Sequence, residues 1–158
     1  MKNQNLLSLL LTFSLITPTI GLANHDLWLA VKNHNWNEAR QLIKDGADPD
    51  YIPYEGPNRL PNQGASVLWW VQAFAQWDLA QYILEIKPNA NCANAPTEGS
   101  FRGDSVIWLV AAADQKDLFT LMLKNNPQTD LDAVTPGREN RGGSLRRIIS
   151  FWKDYTLK

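Results

Sequence analysis

The side chains in this sequence that could do chemistry are few and scattered. His25, His34 and Cys92 are the whole supply of imidazole and thiol. His25 and Asp26 are neighbours, and neighbours on a helix do not face one another, so they form no dyad. His34 falls at a polar break and is expected to face solvent. Asp114 and Asp117 fit turn and capping duties better than paired acid–base work. Asp48-Pro49-Asp50 is too sparse for the closely alternating oxygen ligands of a calcium loop. The sequence holds no H-E-x-x-H, no G-x-S-x-G and no glycine-rich phosphate loop. One cysteine excludes a disulfide framework and a four-cysteine zinc site. Cys92 is expected to be buried at a loop root rather than reactive. These residues read as a protein that is not an enzyme, with no cofactor and no metal. The conspicuous supply is of another kind: seven tryptophans, with tyrosine and arginine beside them in polar stretches, the residue types enriched at interface hot spots.

A chain of 158 residues, 44% hydrophobic and 20% charged, can bury a core and is the length of one ordinary domain. The formal net charge of −1 argues against nucleic acid as a partner. The distribution is uneven. Residues 24–136 carry 8 basic and 14 acidic side chains, while residues 137–158 carry 6 basic and 2 acidic. The basic tail, Arg138 to Lys158, reads as a solvated helix face that aids solubility, with contact to lipid headgroups as the lesser reading. Residues 1–23 read as a secretory signal peptide. Lys2 opens it, an apolar run of 11 residues extends from Leu6 to Ile16, Pro18 and Gly21 are expected to break any helix, and Gly21-Leu22-Ala23 offers small residues for cleavage after Ala23. The apolar run is shorter than the roughly 20 residues a membrane span needs. The expected location is therefore periplasmic or secreted.

The chain then repeats itself. Ser66-Val67-Leu68-Trp69-Trp70-Val71 returns 39 residues later as Ser105-Val106-Ile107-Trp108-Leu109-Val110. Trp77-Asp78-Leu79 answers Lys116-Asp117-Leu118, Tyr82-Ile83-Leu84 answers Leu121-Met122-Leu123, and Pro88 answers Pro127. An earlier copy, offset by 41, matches Asp26-Leu27-Trp28-Leu29-Ala30 to the segment after Ser66, and Ser144-Leu145 opens a truncated fourth. Each copy has one plan. A serine (His25 in the first) caps a short apolar helix, Val67 to Ala75 in the second copy. A polar break comes next, and Asp78 or Asp117 is placed to cap a second helix with Leu79, Tyr82, Ile83 and Ile86 on its buried face. That helix stops before Pro88, Pro127 or the Gly46 turn, and a long polar loop leads on. Leu68, Val71, Leu79, Ile83 and Leu84 read as core, with Ile107, Val110, Leu118, Met122 and Leu123 as their equivalents. Leu145, Ile148, Ile149 and Trp152 form the stripe of a terminal capping helix.

This plan resembles the ankyrin repeat, whose first helix opens with T-P-L-H-x-A-A and whose second ends near L-L-x-x-G-A-D-x-N. Leu42-Ile43-Lys44-Asp45-Gly46-Ala47-Asp48-Pro49-Asp50 stands closest to the second pattern. The period of 39 to 41 exceeds the family's 33, and the surplus falls in the loops Tyr51–Gln63, Cys92–Arg102 and Leu131–Arg141. Trp28, Trp69 and Trp108 stand where the family has histidine, and the proline is absent. The resemblance implies an all-α, ankyrin-type helix-turn-helix repeat solenoid of about three and a half repeats with long connecting loops. Its bounds are residues 24–158, with repeats at about 25–64, 65–103 and 104–142 and a capping helix at 143–158.

Trp28, Trp69 and Trp108 are expected to form a ladder in the repeat interface. The next position, held by Leu29, Trp70 and Leu109, lines the concave groove in the family, and Phe74 lies one turn beyond Trp70. An exposed Trp/Phe/Leu cluster there would be a binding hot spot. The long loops add Tyr54, Arg59, Phe101, Arg102 and Arg141, whose alternative duty is to pin the loops to their neighbours. The expected function is an exported, monomeric module that docks another protein, as an inhibitor or protective partner. The alternatives are a secreted effector acting on host proteins, and a small hydrolase or carbohydrate binder using tryptophan platforms. The last requires exposed tryptophan faces.

Overall fold

Serine-capped apolar runs and amphipathic stripes fold here as helices, and the computed structural model shows seven of them among its described residues. It describes residues 19–54, 62–131, 145–150 and 152. The helices are α1 (Thr19–Lys32), α2 (Trp36–Lys44), α3 (Val67–Ala73), α4 (Trp77–Ile86), α5 (Val106–Ala112), α6 (Lys116–Asn125) and α7 (Leu145–Ser150). No strand occurs among the described residues, so the chain is all-α. None of these helices is long and apolar enough to cross a membrane. The chain divides into two compact units, residues 1–48 and 49–158.

In the first unit α1 packs on α2. Leu27, Trp28, Ala30 and Val31 of α1 and Ala39 and Ile43 of α2 are buried. Asn24 Oδ1 accepts the backbone N–H of Asp48 at 2.7 Å and ties the unit's two ends together. The expected break at Gly21 does not occur: α1 runs from Thr19 through Gly21 and Ala23 without interruption. A glycine inside a helix costs only about 1 kcal/mol, which the packing downstream offsets.

The second unit has two layers. The first helices of successive copies stack α3 on α5 on α7, and the second helices stack α4 on α6. Six of the seven residues of α3, Val67 to Gln72, are buried. α4 buries one stripe, Leu79, Ala80, Ile83 and Leu84, and α6 buries Leu118, Phe119 and Met122. Four buried-face assignments need correction. Ile86, the last residue of α4, is exposed, and Tyr82, Leu123 and Ile148 are half-buried; Leu84 is covered by α6, whereas no described second helix follows α6 to cover its equivalent, Leu123. α7 buries Leu145 and Ile149 with Arg146 and Arg147 outward, and Trp152 meets Phe119 edge to face at 5.3 Å.

The repeat is written in the backbone. Ser66 Oγ accepts the Trp69 amide at 3.2 Å, and Ser105 Oγ accepts the Trp108 amide at 3.3 Å, 39 residues on. These are the expected N-caps. The second helices are capped differently. Gln76 and Gln115 hold the N-cap positions, and Asp78 and Asp117 sit inside the first turn, where a carboxylate favours the helix dipole. The three turns between paired helices each contain one non-glycine residue in the left-handed region: His34, Ala75 and Asp114, at φ of 57°, 56° and 57°. That conformation costs roughly 1–2 kcal/mol in an L-residue, so its recurrence at one register marks a turn imposed by packing.

Each first helix is also capped by the loop before it. The amides of Leu68, Ile107 and Arg146 donate to the carbonyls of Pro49, Cys92 and Leu131. The long loops in turn hold each other. The Asn94 carboxamide accepts the Ser66 amide at 2.8 Å and donates to the Gly64 carbonyl at 3.1 Å. Thr97 donates its backbone N–H and its hydroxyl to the Gln63 carbonyl. Gly64 has φ +85°, and a Cβ there would stand 3.0 Å from Thr97 Oγ1. Lys87 and Asp50 form an ion pair at 3.0 Å, and the Asp50 carboxylate accepts the Asn91 amide.

Candidate functional site

Helix α3 places three large side chains at the end of the first-helix layer. Trp69 points inward and is fully buried. Its indole N–H donates to the Asp104 carbonyl at 2.6 Å, which fixes the ring against the root of the second loop. Trp70 stands edge-on to Trp69 at 5.2 Å, and Phe74 lies beside Trp70 at 5.7 Å. Phe101 reaches back from the loop and meets Trp69 edge to face at 5.8 Å. With Trp77 at the start of α4 and Leu109 on α5, these residues enclose an open groove of about 390 Å³. That is the lower part of the range for ligand sites. Asn62, Ala73, Ala75, Ala112 and Ala113 complete its wall, and among the described residues no charged side chain lines it.

Gln72 also lines this groove. The residue is 2% exposed. Neither its amide oxygen nor its amide nitrogen has a hydrogen-bond partner among the described residues. A buried donor or acceptor left unpaired costs about 1–3 kcal/mol. The corresponding positions in the neighbouring copies are Val31 and Ala111, both buried and apolar. The fold therefore accepts a hydrocarbon at this register, and copy two alone places an amide there.

The sequence-based site residues fall in several places. Trp70, Phe74, Leu109 and Phe101 come together around the groove. The expected exposure of this cluster needs correction: Trp70 is only 8% exposed, and Phe74 and Leu109 are half-buried, because Trp69, Phe101 and α5 wall them in. Phe101 is the open member at 43%. Leu29 is exposed on α1 of the first unit, and Tyr54 is exposed in the first loop. Arg102 lines a second, larger hollow of about 800 Å³, with Cys92, Ser105, Asn126 and Leu145. Arg59 and Arg141 lie outside the described residues, as do Arg138 and the last six residues of the basic tail. Gln72 and Trp77 are the groove residues that sequence reasoning missed.

Of the tryptophan ladder, Trp28 and Trp69 are buried, whereas Trp108 is half-buried. Two of the three faces a flat platform would need are therefore closed. Cys92 is buried at the loop root, where burial and then the Asp50 carboxylate push its thiol from 9.0 up to about 12. Its Sγ accepts a weak hydrogen bond from Asn126 Nδ2 at 3.8 Å. A thiol held protonated is a packing group and a poor nucleophile. Among the described residues, no group of three or more His, Cys, Asp or Glu is placed to hold a metal ion. No protein-family model matches the chain, and no curated protein or solved structure matches it significantly.

Proposed function

We propose that this chain is an exported, non-enzymatic binding module that docks a partner protein on the groove of its second unit and on the long loops beside it. The observation that carries the reading is the neutral aromatic groove formed by Trp70, Phe74, Trp77, Phe101 and Leu109. Aromatic side chains held rigidly around a concave apolar surface are the usual anchors of protein recognition. Beside the groove, Gln63, Gly64 and Ser66 are hydrogen-bonded to Asn94 and Thr97, which lowers the ordering cost of binding at those residues.

The architecture we assign to it is a stack of degenerate ankyrin-like repeats. Three features support this: the 39-residue recurrence of serine caps, the recurring left-handed turn residue, and first helices packed on first helices with second helices on second. Export rests on the leader-like pattern of residues 1–23. Inhibition or protection of the partner is the role proposed.

The test uses the full chain with a C-terminal tag, expressed in its own source cell. Recovery from the periplasmic or external fraction with Asn24 as the first residue is the expected result. Recovery from the cytoplasm with Met1 intact would overturn export. The exported protein should retain one partner in stoichiometric amount. A Trp70→Ala, Phe74→Ala double variant with unchanged helical circular dichroism should lose it. Equal capture by both proteins would remove the groove from the site.

A further inference from the structure

We infer that the groove takes an extended, uncharged peptide segment of the partner, and that Gln72 reads its backbone. This inference rests on the docking reading and gives it a chemistry. Three observations converge on it. The Gln72 carboxamide is buried against the groove with its oxygen and nitrogen both unpaired among the described residues. The same register holds Val31 and Ala111 in the other copies, so the fold has no need of a polar group there. Among the described residues the lining carries no charge, which disfavours a carboxylate, phosphate or ammonium ligand.

A carboxamide offers one acceptor and a two-proton donor in one plane. The complement is an N–H and a C=O on one edge, and a single residue of an extended chain presents that pair, its own N–H and its own C=O, from the two trans peptide units that flank it. Both amide atoms are closed off in the free protein, so pairing requires the side chain to turn toward the groove, and the broad, nearly two-fold terminal torsion of glutamine lets its oxygen and nitrogen exchange places once there. A large apolar side chain flanking the recognised peptide unit fits between Phe74, Phe101 and Leu109, where it meets aromatic edges. An N-acetylated sugar also carries an amide. It needs an open ring face to stack on, and Trp70 is nearly closed while Trp69 is fully so, which leaves only Phe101 and Trp77 among the described groove rings for it and makes the sugar the comparator.

The probe is N-acetylphenylalaninamide, which is uncharged, carries an amide on each side of one aromatic side chain, and should bind in about the millimolar range expected of a ligand this small. Its comparator is triacetylchitotriose. Binding to the full chain is monitored by the indole N–H signals in NMR spectra. The expected result is a saturable shift with the peptide amide and none with the sugar. Gln72→Leu should weaken peptide binding at least tenfold without lowering the melting temperature, and Leu109→Lys should abolish it. Unchanged peptide affinity in Gln72→Leu, saturation by the sugar alone, or no saturation by either would each overturn the inference. Capture of the natural partner separates this from the wider reading. Capture that survives Gln72→Leu but fails in Leu109→Lys refutes the amide pairing and keeps the docking site. Capture unaffected by both refutes the two together.

Discussion

The two ends of α3 treat buried polar atoms in opposite ways. At its start, Ser66 Oγ accepts the Trp69 amide, Asn94 accepts the Ser66 amide, and the Trp69 indole donates to Asp104. At its end, less than one turn away, both polar atoms of the Gln72 side chain are buried without partners among the described residues. One helix thus carries a region where polar groups are paired for stability and a region where stability is given up. Native proteins break local rules of this sort chiefly at functional sites. The contrast locates the site more sharply than aromatic content does, since tryptophans serve at both ends.

Four measurements would break or sharpen that contrast. Trp69→Ala removes the largest buried ring of α3 and leaves the Asp104 carbonyl without its indole donor, so it should cost about 3–5 kcal/mol in urea unfolding. A loss under about 1 kcal/mol would show that the first end of α3 is not the anchor described. Asn94→Ala deletes two loop-to-loop hydrogen bonds and strips the Ser66 amide of its acceptor, for about 2 kcal/mol by the same method.

The next effect depends on pH. The folded protein raises the Cys92 thiol, chiefly by burial, from 9.0 to about 12. The unfolded chain therefore loses this proton first. Stability is unaffected below about pH 9 and falls as pH rises toward 12, by up to about 1.4 kcal/mol per pH unit. Cys92→Ala should remove that part of the slope, which a pH series of melting curves would show. The smallest effect has the opposite sign to the first two. Gln72→Leu should stabilise the free protein by about 1 kcal/mol, since it replaces an unpaired buried amide with a hydrocarbon of similar volume. Destabilisation would mean that the amide serves the fold, and the contrast between the two ends would collapse.

Much of the fold was legible because the chain states it more than once. A serine before an apolar run is weak evidence of a cap, but Ser66 and Ser105 at equal places in two copies are strong evidence, and both cap. The start of α1 was not legible, since Gly21 and the leader-like composition argue locally for a break that packing overrides. Nor was the capping of the second helices. Asp78 and Asp117 are good capping types, yet the left-handed residue before Gln76 and Gln115 starts each helix two residues earlier. At the site, Phe74 and Leu109 were readable from helical spacing and repeat register. Gln72 was hidden inside an apolar run, where polarity is normally read as exposure. Laying it beside Val31 and Ala111 would have exposed it, because a lone amide in a register of hydrocarbons has no structural reason to be there.

The hydrogen bonds from Leu68, Ile107 and Arg146 to Pro49, Cys92 and Leu131 all run backward along the chain. Every acceptor is made before its donor. On a ribosome, each first helix of the second unit emerges after the carbonyl that will cap it, whereas the Ser66 amide and the Trp69 indole of α3 must wait for Asn94 and Asp104. The backbone caps are thus complete as each first helix emerges, while the side-chain bonds close only when the next copy has been made. Deleting the second loop and its root should therefore damage both its neighbours, α5 through the lost Cys92 carbonyl and α3 through the lost Asn94 and Asp104 acceptors.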